Sequence, residues 1–414
     1  MSRSNGSAAR TVRHIPARER PNAVVMAIDK PPEPLPGARL LFTLDPGYVH
    51  LNHGSFGAAP IPTQRAAARL REEQEADPMR FLKPPGIVQR VRHTRRHLAR
   101  FVGADPDGTA LVPNVTAACA VVLGSVRLRP GDEILLTDHT YGAVALEAAR
   151  RCAETGATVV QARIGLEDDD DAVVAAIAAA TTDRTRVAII DQISSATAKL
   201  FPVRRIAAEL HRRGVFVAID AAHVPGMIDV DVSALGVDAW FGNLHKWAYA
   251  PRGTGLLSVA AAHHGSVRPL AASWEYDNGF PASVEFQGTQ DLAGWLAAPA
   301  GLHTMTALGV DVVRDHNARL ARYGQRLITE ALGTPAVRSA PELAMRVVRL
   351  PAGVATTPEA ASQLRDRIAE QLRIHVAVSA WRRIGLLRIC AQVYNGAEDF
   401  ERLARSLPPL LRAR

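Results

Sequence analysis

The chain has 414 residues, 47% of them hydrophobic, and a mean hydropathy of −0.01; this composition suits one large and one smaller domain around sizeable cores. No run approaches the ~18 apolar residues that a membrane span needs, and the amino terminus lacks the apolar stretch of a secretory signal. The net charge is +8, but only four residues are lysine (Lys30, Lys83, Lys199, Lys246) and the arginines are scattered among acids, so no basic stripe interleaved with aromatics exists to bind nucleic acid.

The first stretch, residues 1–37, is polar, rich in arginine and closed by PPEPLPG; it reads as a flexible tail. A transit peptide is the sharper alternative, because the opening twenty residues are rich in Arg and Ser and poor in acids. From Thr109 to Val259, β-rich runs alternate with Ala-rich helical ones. The expected strands are EILLTD (133–138), ATVVQAR (157–163), RVAIID (186–191), VFVAID (215–220), DAWFGN (238–243) and GLLSVA (255–260). Their near-continuous apolar character means burial on both faces, the mark of a parallel sheet covered by helices. From about Asp291 a long helical stretch leads into a smaller unit that reads strand, helix, two strands, helix. The expected architecture is α/β: a large domain (38–300) with a mostly parallel central sheet, and a smaller α+β carboxy-terminal domain (301–414).

Ligands of such sheets bind at the carboxyl ends of the strands. VFVAID ends at Asp220, and a carboxylate at a buried strand end is costly without a cationic partner. A protonated ring nitrogen fits, because a carboxylate there keeps a pyridinium charged as an electron sink. One strand further on, DAWFGN runs into LHKWAYAPRGTG, which places Lys246 26 residues after Asp220. Desolvation in an apolar, aromatic-flanked turn lowers the pKa of a lysine and suits it to Schiff-base formation. The expected cofactor is pyridoxal 5'-phosphate (PLP). For its phosphate, Asn114, Val115 and Thr116 of NVTAA follow a short apolar run and open a helix, where backbone N–H groups are free.

The segments LNHGSFG (51–57), DHTYGA (138–143), DQISSATA (191–198), DAAH (220–223), GNLHKW (242–247), FQGTQD (286–291) and LRICAQVYN (387–395) resemble the class V aminotransferase family of PLP enzymes, and within it the isopenicillin N epimerase-like group. The resemblance implies a fold-type I homodimer with active sites at the subunit interface. It implies that Lys246 carries the cofactor and shuttles the Cα proton, that Asp220 pairs with the ring nitrogen, and that His223 contacts the ring hydroxyl, with Gln192 reaching the same edge. It implies phosphate contacts from Thr116, from Asn243 and His245, and from Thr289 of the partner subunit; many relatives have Ser where this chain has Asn243. His139 or Tyr141, both following the strand EILLTD, stacks on the ring, with Tyr141 favoured as the acid–base or stacking residue. Arg388 holds the substrate carboxylate, with Arg382 and Arg383 either assisting or lying on the surface, and Asn52 and His53 line the pocket entrance.

Two outcomes compete: epimerisation, with Tyr141 or His223 as a second proton carrier, and C–S cleavage of a cysteine-derived conjugate. Transamination or oxidative deamination is the alternative, and a catalytically inactive PLP-binding regulator a more distant one. Desulfuration by a nucleophilic cysteine is disfavoured, because no Cys lies between Cys152 and Cys390 and the latter reads as a strand residue. The three cysteines, with Cys119, are odd in number and form no CxxC pair, which argues against a disulfide framework or zinc site and for a cytoplasmic setting. No metal is expected: the acidic run EDDDDA (167–172) reads as a helix start. The substrate is expected to be a small-molecule amino acid.

Overall fold

The computed structural model describes residues 30–413; most of the expected amino-terminal tail, and the transit-peptide alternative with it, lies outside the described residues. Two long helices, α1 (Ile61–Ala76) and α2 (Gly86–Phe101), precede the sheet. The sheet has seven strands, β1 (Thr109–Val112), β2 (Glu133–Thr137), β3 (Thr158–Ala162), β4 (Thr185–Asp191), β5 (Phe216–Asp220), β6 (Ala239–Asn243) and β7 (Gly255–Val259). Their spatial order is β1-β7-β6-β5-β4-β2-β3, and every neighbouring pair is parallel except those made by β7, which runs antiparallel to both β1 and β6.

Helices α3 (Val115–Ser125), α4 (Gly142–Thr155), α5 (Asp170–Ala180) and α6 (Val203–His211) connect the earlier strands. Local chemistry sets where they begin. The Asn114 side chain accepts from Ala117 N at 2.9 Å to start α3, and Asp169 accepts from Ala172 N at 2.9 Å to start α5, which places Asp170 and Asp171 in the first turn.

The strands alternate between two cores. In β4, Val187 and Ile189 join one apolar cluster while Ala188 and Ile190 join the other. In β5, Ala218 joins the first while Val217 and Ile219 join the second. The edge strand β3 departs from the expected two-sided burial, with Thr158, Val159 and Gln161 exposed, because only β2 flanks it.

Two further helices, α7 (Ala293–Leu308) and α8 (Val310–Leu332), follow. α7 is apolar almost all round because it packs against both α1 and α2. Among the described residues no single helix is long and apolar enough to cross a membrane. The carboxy-terminal unit is an antiparallel sheet ordered β9-β10-β8, formed by β8 (Met345–Arg349), β9 (Ala377–Trp381) and β10 (Ile384–Cys390), with α9 (Pro358–Arg367) and α10 (Ala397–Arg412) against it. Val49 and His50 pair in parallel with Ile374 and His375, and Leu51 is buried in the same core, so this early segment packs with the carboxy-terminal sheet. That pairing carries the residues after it, 52–57, to the carboxyl ends of the large sheet.

Candidate active site

β4, β5 and β6 end at Asp191, Asp220 and Asn243, and a cavity of about 280 Å3 opens beyond them. The Lys246 amine reaches it from the short helical turn Leu244–Trp247. A larger cavity, about 850 Å3, sits at the opposite end of the sheet, where Phe216 and Ala239 begin β5 and β6; strand direction, not size, marks the chemical end.

The lysine is set up by its surroundings. Lys246 Nζ lies 3.3 Å from His223 Nε2, and Trp247 Nε1 donates to His223 Nδ1 at 3.4 Å. Accepting at Nδ1 leaves the imidazole proton on Nε2, where it donates to an uncharged amine. Burial, then the charge of Arg388, lowers Lys246 to about 8. Burial and the neighbouring Lys246 hold His223 well below the usual histidine range. Burial raises Asp220 to about 6 although Ala222 N donates to its Oδ1 at 2.9 Å.

The turn is braced from below. His53 Nε2 donates to the Lys246 carbonyl at 2.8 Å, and its Nδ1 accepts from the Tyr394 hydroxyl at 3.0 Å. Gly57 has a positive φ of +68°, and a Cβ there would sit 1.9 Å from the His245 carbonyl oxygen. His53 is therefore buried beneath the lysine and does not line the expected entrance. Asn52 is also displaced from that role: its Oδ1 accepts from Arg388 NH2 at 3.0 Å. The cavity wall on this side is made by Ser55 and Phe56 instead.

Arg388 is buried with neutral acceptors only. One terminal nitrogen donates to the Ser195 carbonyl (2.8 Å) and hydroxyl (3.0 Å), the other to Asn52 and to the Ser55 hydroxyl (3.0 Å). Burial depresses its pKa. A buried guanidinium without an acid partner is suited to an incoming carboxylate. Arg382 and Arg383 do not share this position; both have positive φ in the β9–β10 turn, and Arg382 pairs with Asp138 and lies over the Trp381 ring.

At the opposite wall, Asn243 Oδ1 accepts from Val115 N at 3.1 Å, which ties β6 to the start of α3. With Val115 and Ala117 engaged, the Thr116 backbone and hydroxyl remain at the helix start beside the cavity, with His245 nearby. His245 Nδ1 lies 3.1 Å from the Thr254 carbonyl, and burial with Lys246 lowers its pKa to about 4.

Two expected contacts, those of His139 and Gln192, are not assembled here. His139 is buried away from the cavity: Nδ1 lies 2.6 Å from the Thr197 hydroxyl, Nε2 donates to the Ile164 carbonyl at 2.8 Å, and the ring packs on Trp381. Tyr141, half exposed at the start of α4, lines the cavity instead. Gln192 faces the other side of the sheet, where its Oε1 accepts from Trp240 Nε1 at 3.0 Å, because side chains alternate along the strand path. Thr289 lines a separate cavity of about 270 Å3 with Trp274, Phe286 and Ile87. Sequence reading missed Asp191, Ser195, Ser55 and Phe56, all on the cavity wall. Alternation from Ile189 would have placed Asp191; the serines and Phe56 lie inside the quoted LNHGSFG and DQISSATA segments.

The donor set fits a phosphorylated pyridine aldehyde: an amine of lowered pKa, a buried acid at a strand end, and a helix start with free donors. The class-V aminotransferase family model matches residues 85–403, and the chain belongs to this family. It is 33% identical to the isopenicillin N epimerase of Streptomyces clavuligerus over 395 residues, covering 90% of this chain and 97% of that one. It is 28% identical to a probable chloroplastic L-cysteine desulfhydrase of Arabidopsis thaliana, covering 89% of this chain and 84% of that one. A solved complex of a cystine C–S lyase with its product cysteine persulfide superposes with a TM-score of 0.75 at 22% identity, covering 87% of this chain and 97% of that one. The protein is a PLP-dependent enzyme of the fold-type I architecture, in a family branch whose relatives include epimerases and cysteine desulfhydrases.

Proposed function

We propose that the enzyme removes and returns the Cα proton of an amino-acid substrate, and so epimerises it. The observation that carries this reading is the close pair of Lys246 and His223 in a cavity that also holds the Tyr141 phenol. PLP, when bound, supplies the electron sink that makes the Cα proton removable. Lys246 holds the cofactor through its amine and then carries that proton. Asp220 would pair with the ring nitrogen of the cofactor, and His223 would contact its ring hydroxyl. Thr116, Asn243 and His245 would hold the phosphate, with Asn114 and Val115 shaping the helix start. Arg388, freed from Ser195 and Ser55, takes the substrate carboxylate. Tyr141 is the second proton carrier that epimerisation requires.

C–S cleavage is the second reading, favoured by the similarity to cysteine desulfhydrases. Cleavage by a nucleophilic cysteine has no support, because Cys390 is buried in β10 with its Sγ accepting from Gly54 N at 3.4 Å. The working unit is proposed to be a cytoplasmic homodimer in which Thr289 reaches the partner's phosphate; its position away from its own cavity supports this.

Incubating the holoenzyme with amino acids and cysteine S-conjugates in deuterated water tests the reaction. Deuterium at Cα with loss of optical activity supports epimerisation. Pyruvate with a free thiol replaces it with the lyase. Conversion to a keto acid with retained side chain overturns both.

A further inference from the structure

Asp191 is a buried acid that the reaction scheme above leaves without a task. β4 and β5 run parallel with Asp191 directly in register with Asp220, so the two carboxyl groups leave adjacent strand ends on the same face. The backbone stitches these ends together, Gln192 N donating to the Asp220 carbonyl at 2.7 Å. Each residue is 3% exposed, and both line the same cavity.

Three other buried acids carry a cation, and Asp399 accepts instead from Asn395 Nδ2 at 2.9 Å and Gly396 N at 3.2 Å. Glu285 has Arg95 at 2.6 Å, Glu133 has Arg184 at 2.8 Å, and Asp132 has Arg186 at 2.9 Å. Asp191 has no such pairing among the described residues. The groups that face the two acids are Lys246 and His223 from the adjoining turns, Cys119 from α3 and, further off, Arg388. Of these, Lys246 acts on Asp220, and none neutralises Asp191. Two carboxylates in adjoining buried positions with one cation nearby do not both ionise.

We propose that Asp191 is a positioning residue: a neutral carboxylic acid that donates a hydrogen bond to Asp220, so that the two strand-end acids share one negative charge. The pair, and not Asp220 alone, then sets how firmly the ring nitrogen of the cofactor is held protonated. Burial raises the Asp191 carboxyl well above the usual range, in keeping with this arrangement. The proposal rests on the reading of Asp220 as the ring-nitrogen partner.

The test compares wild-type holoenzyme with Asp191→Asn and Asp191→Leu. Infrared difference spectra at neutral pH, wild type minus Asp191→Asn, are expected to show the carbonyl band of a protonated carboxylic acid, shifted in deuterated water. The pH midpoint of the visible cofactor absorbance is expected to stay within about 0.3 unit in Asp191→Asn, which keeps a donor. It is expected to rise by about 0.5–1 unit in Asp191→Leu, which does not. Absence of the acid band from the difference spectrum overturns the proposal, as does an Asp191→Leu midpoint equal to that of Asp191→Asn. The infrared result decides alone where Asp191→Leu does not fold. Full cofactor absorbance and turnover in Asp220→Asn would instead overturn the assignment of Asp220, a separate failure.

Discussion

Replacing Arg388 by glutamine tests the substrate end of the site. The arginine donates to four neutral oxygens, on Ser195, Asn52 and Ser55, and has no acid partner. A substrate carboxylate would exchange some of these for charge-assisted bonds, each worth about 1.5–3 kcal/mol. Glutamine fills part of the space and still donates to one oxygen, so the net loss is about 3 kcal/mol, or roughly 150-fold in kcat/KM. The fold loses little, because a buried cation is removed with its desolvation cost. The assay compares the amino acid with its methyl ester. Wild type is expected to prefer the free acid strongly and Arg388→Gln to treat the two alike. A drop below threefold, or an equal loss on the ester, would refute the assignment.

The remaining expectations concern the scaffold and the lysine. Glu285→Ala leaves Arg95 buried without its partner, at a cost of about 3–5 kcal/mol in denaturant unfolding. Burial raises Glu285 from 4.5 to about 7, so the folded state binds its proton more tightly than the unfolded state does. Its contribution is therefore present below pH 4.5 and is lost as pH rises through about 7, and Glu285→Gln is expected to flatten stability over that window. Gly57→Ala forces a Cβ against the His245 carbonyl, and cofactor retention after dialysis is expected to fall at least tenfold, about 1.4 kcal/mol. The amine of Lys246, lowered to about 8, attacks an aldehyde only when neutral, so the rate of cofactor uptake by the apoenzyme is expected to rise with pH and level off above about 8. A flat profile across that range would contradict the lowered pKa.

Much of the fold was legible because each parallel strand is an apolar run with a sharp polar end. EILLTD, RVAIID, VFVAID and DAWFGN all lie within a residue or two of observed strands. Asp220 and Lys246 stood out for the same reason: each is a charge placed where burial is otherwise complete. What sequence could not supply is the direction of a side chain once the strand has ended. Gln192 sits beside Asp191, which does face the cavity, and one residue of alternation separates inside from outside; His139 and Tyr141 lie two residues apart in the turn after β2, where strand alternation no longer applies. The burial of His53 beneath the lysine turn depends on the pairing of Val49 and His50 with Ile374 and His375, a contact more than three hundred residues apart in the chain. Such long-range pairing leaves no local pattern.

The central claim is a covalent one, and borohydride reduction of the holoenzyme followed by peptide mass spectrometry tests it most directly. The account predicts a single stable adduct on the peptide that contains Lys246, lost in Lys246→Ala together with the visible absorbance. An adduct on Lys30, Lys83 or Lys199, or no adduct in an active enzyme, would contradict it.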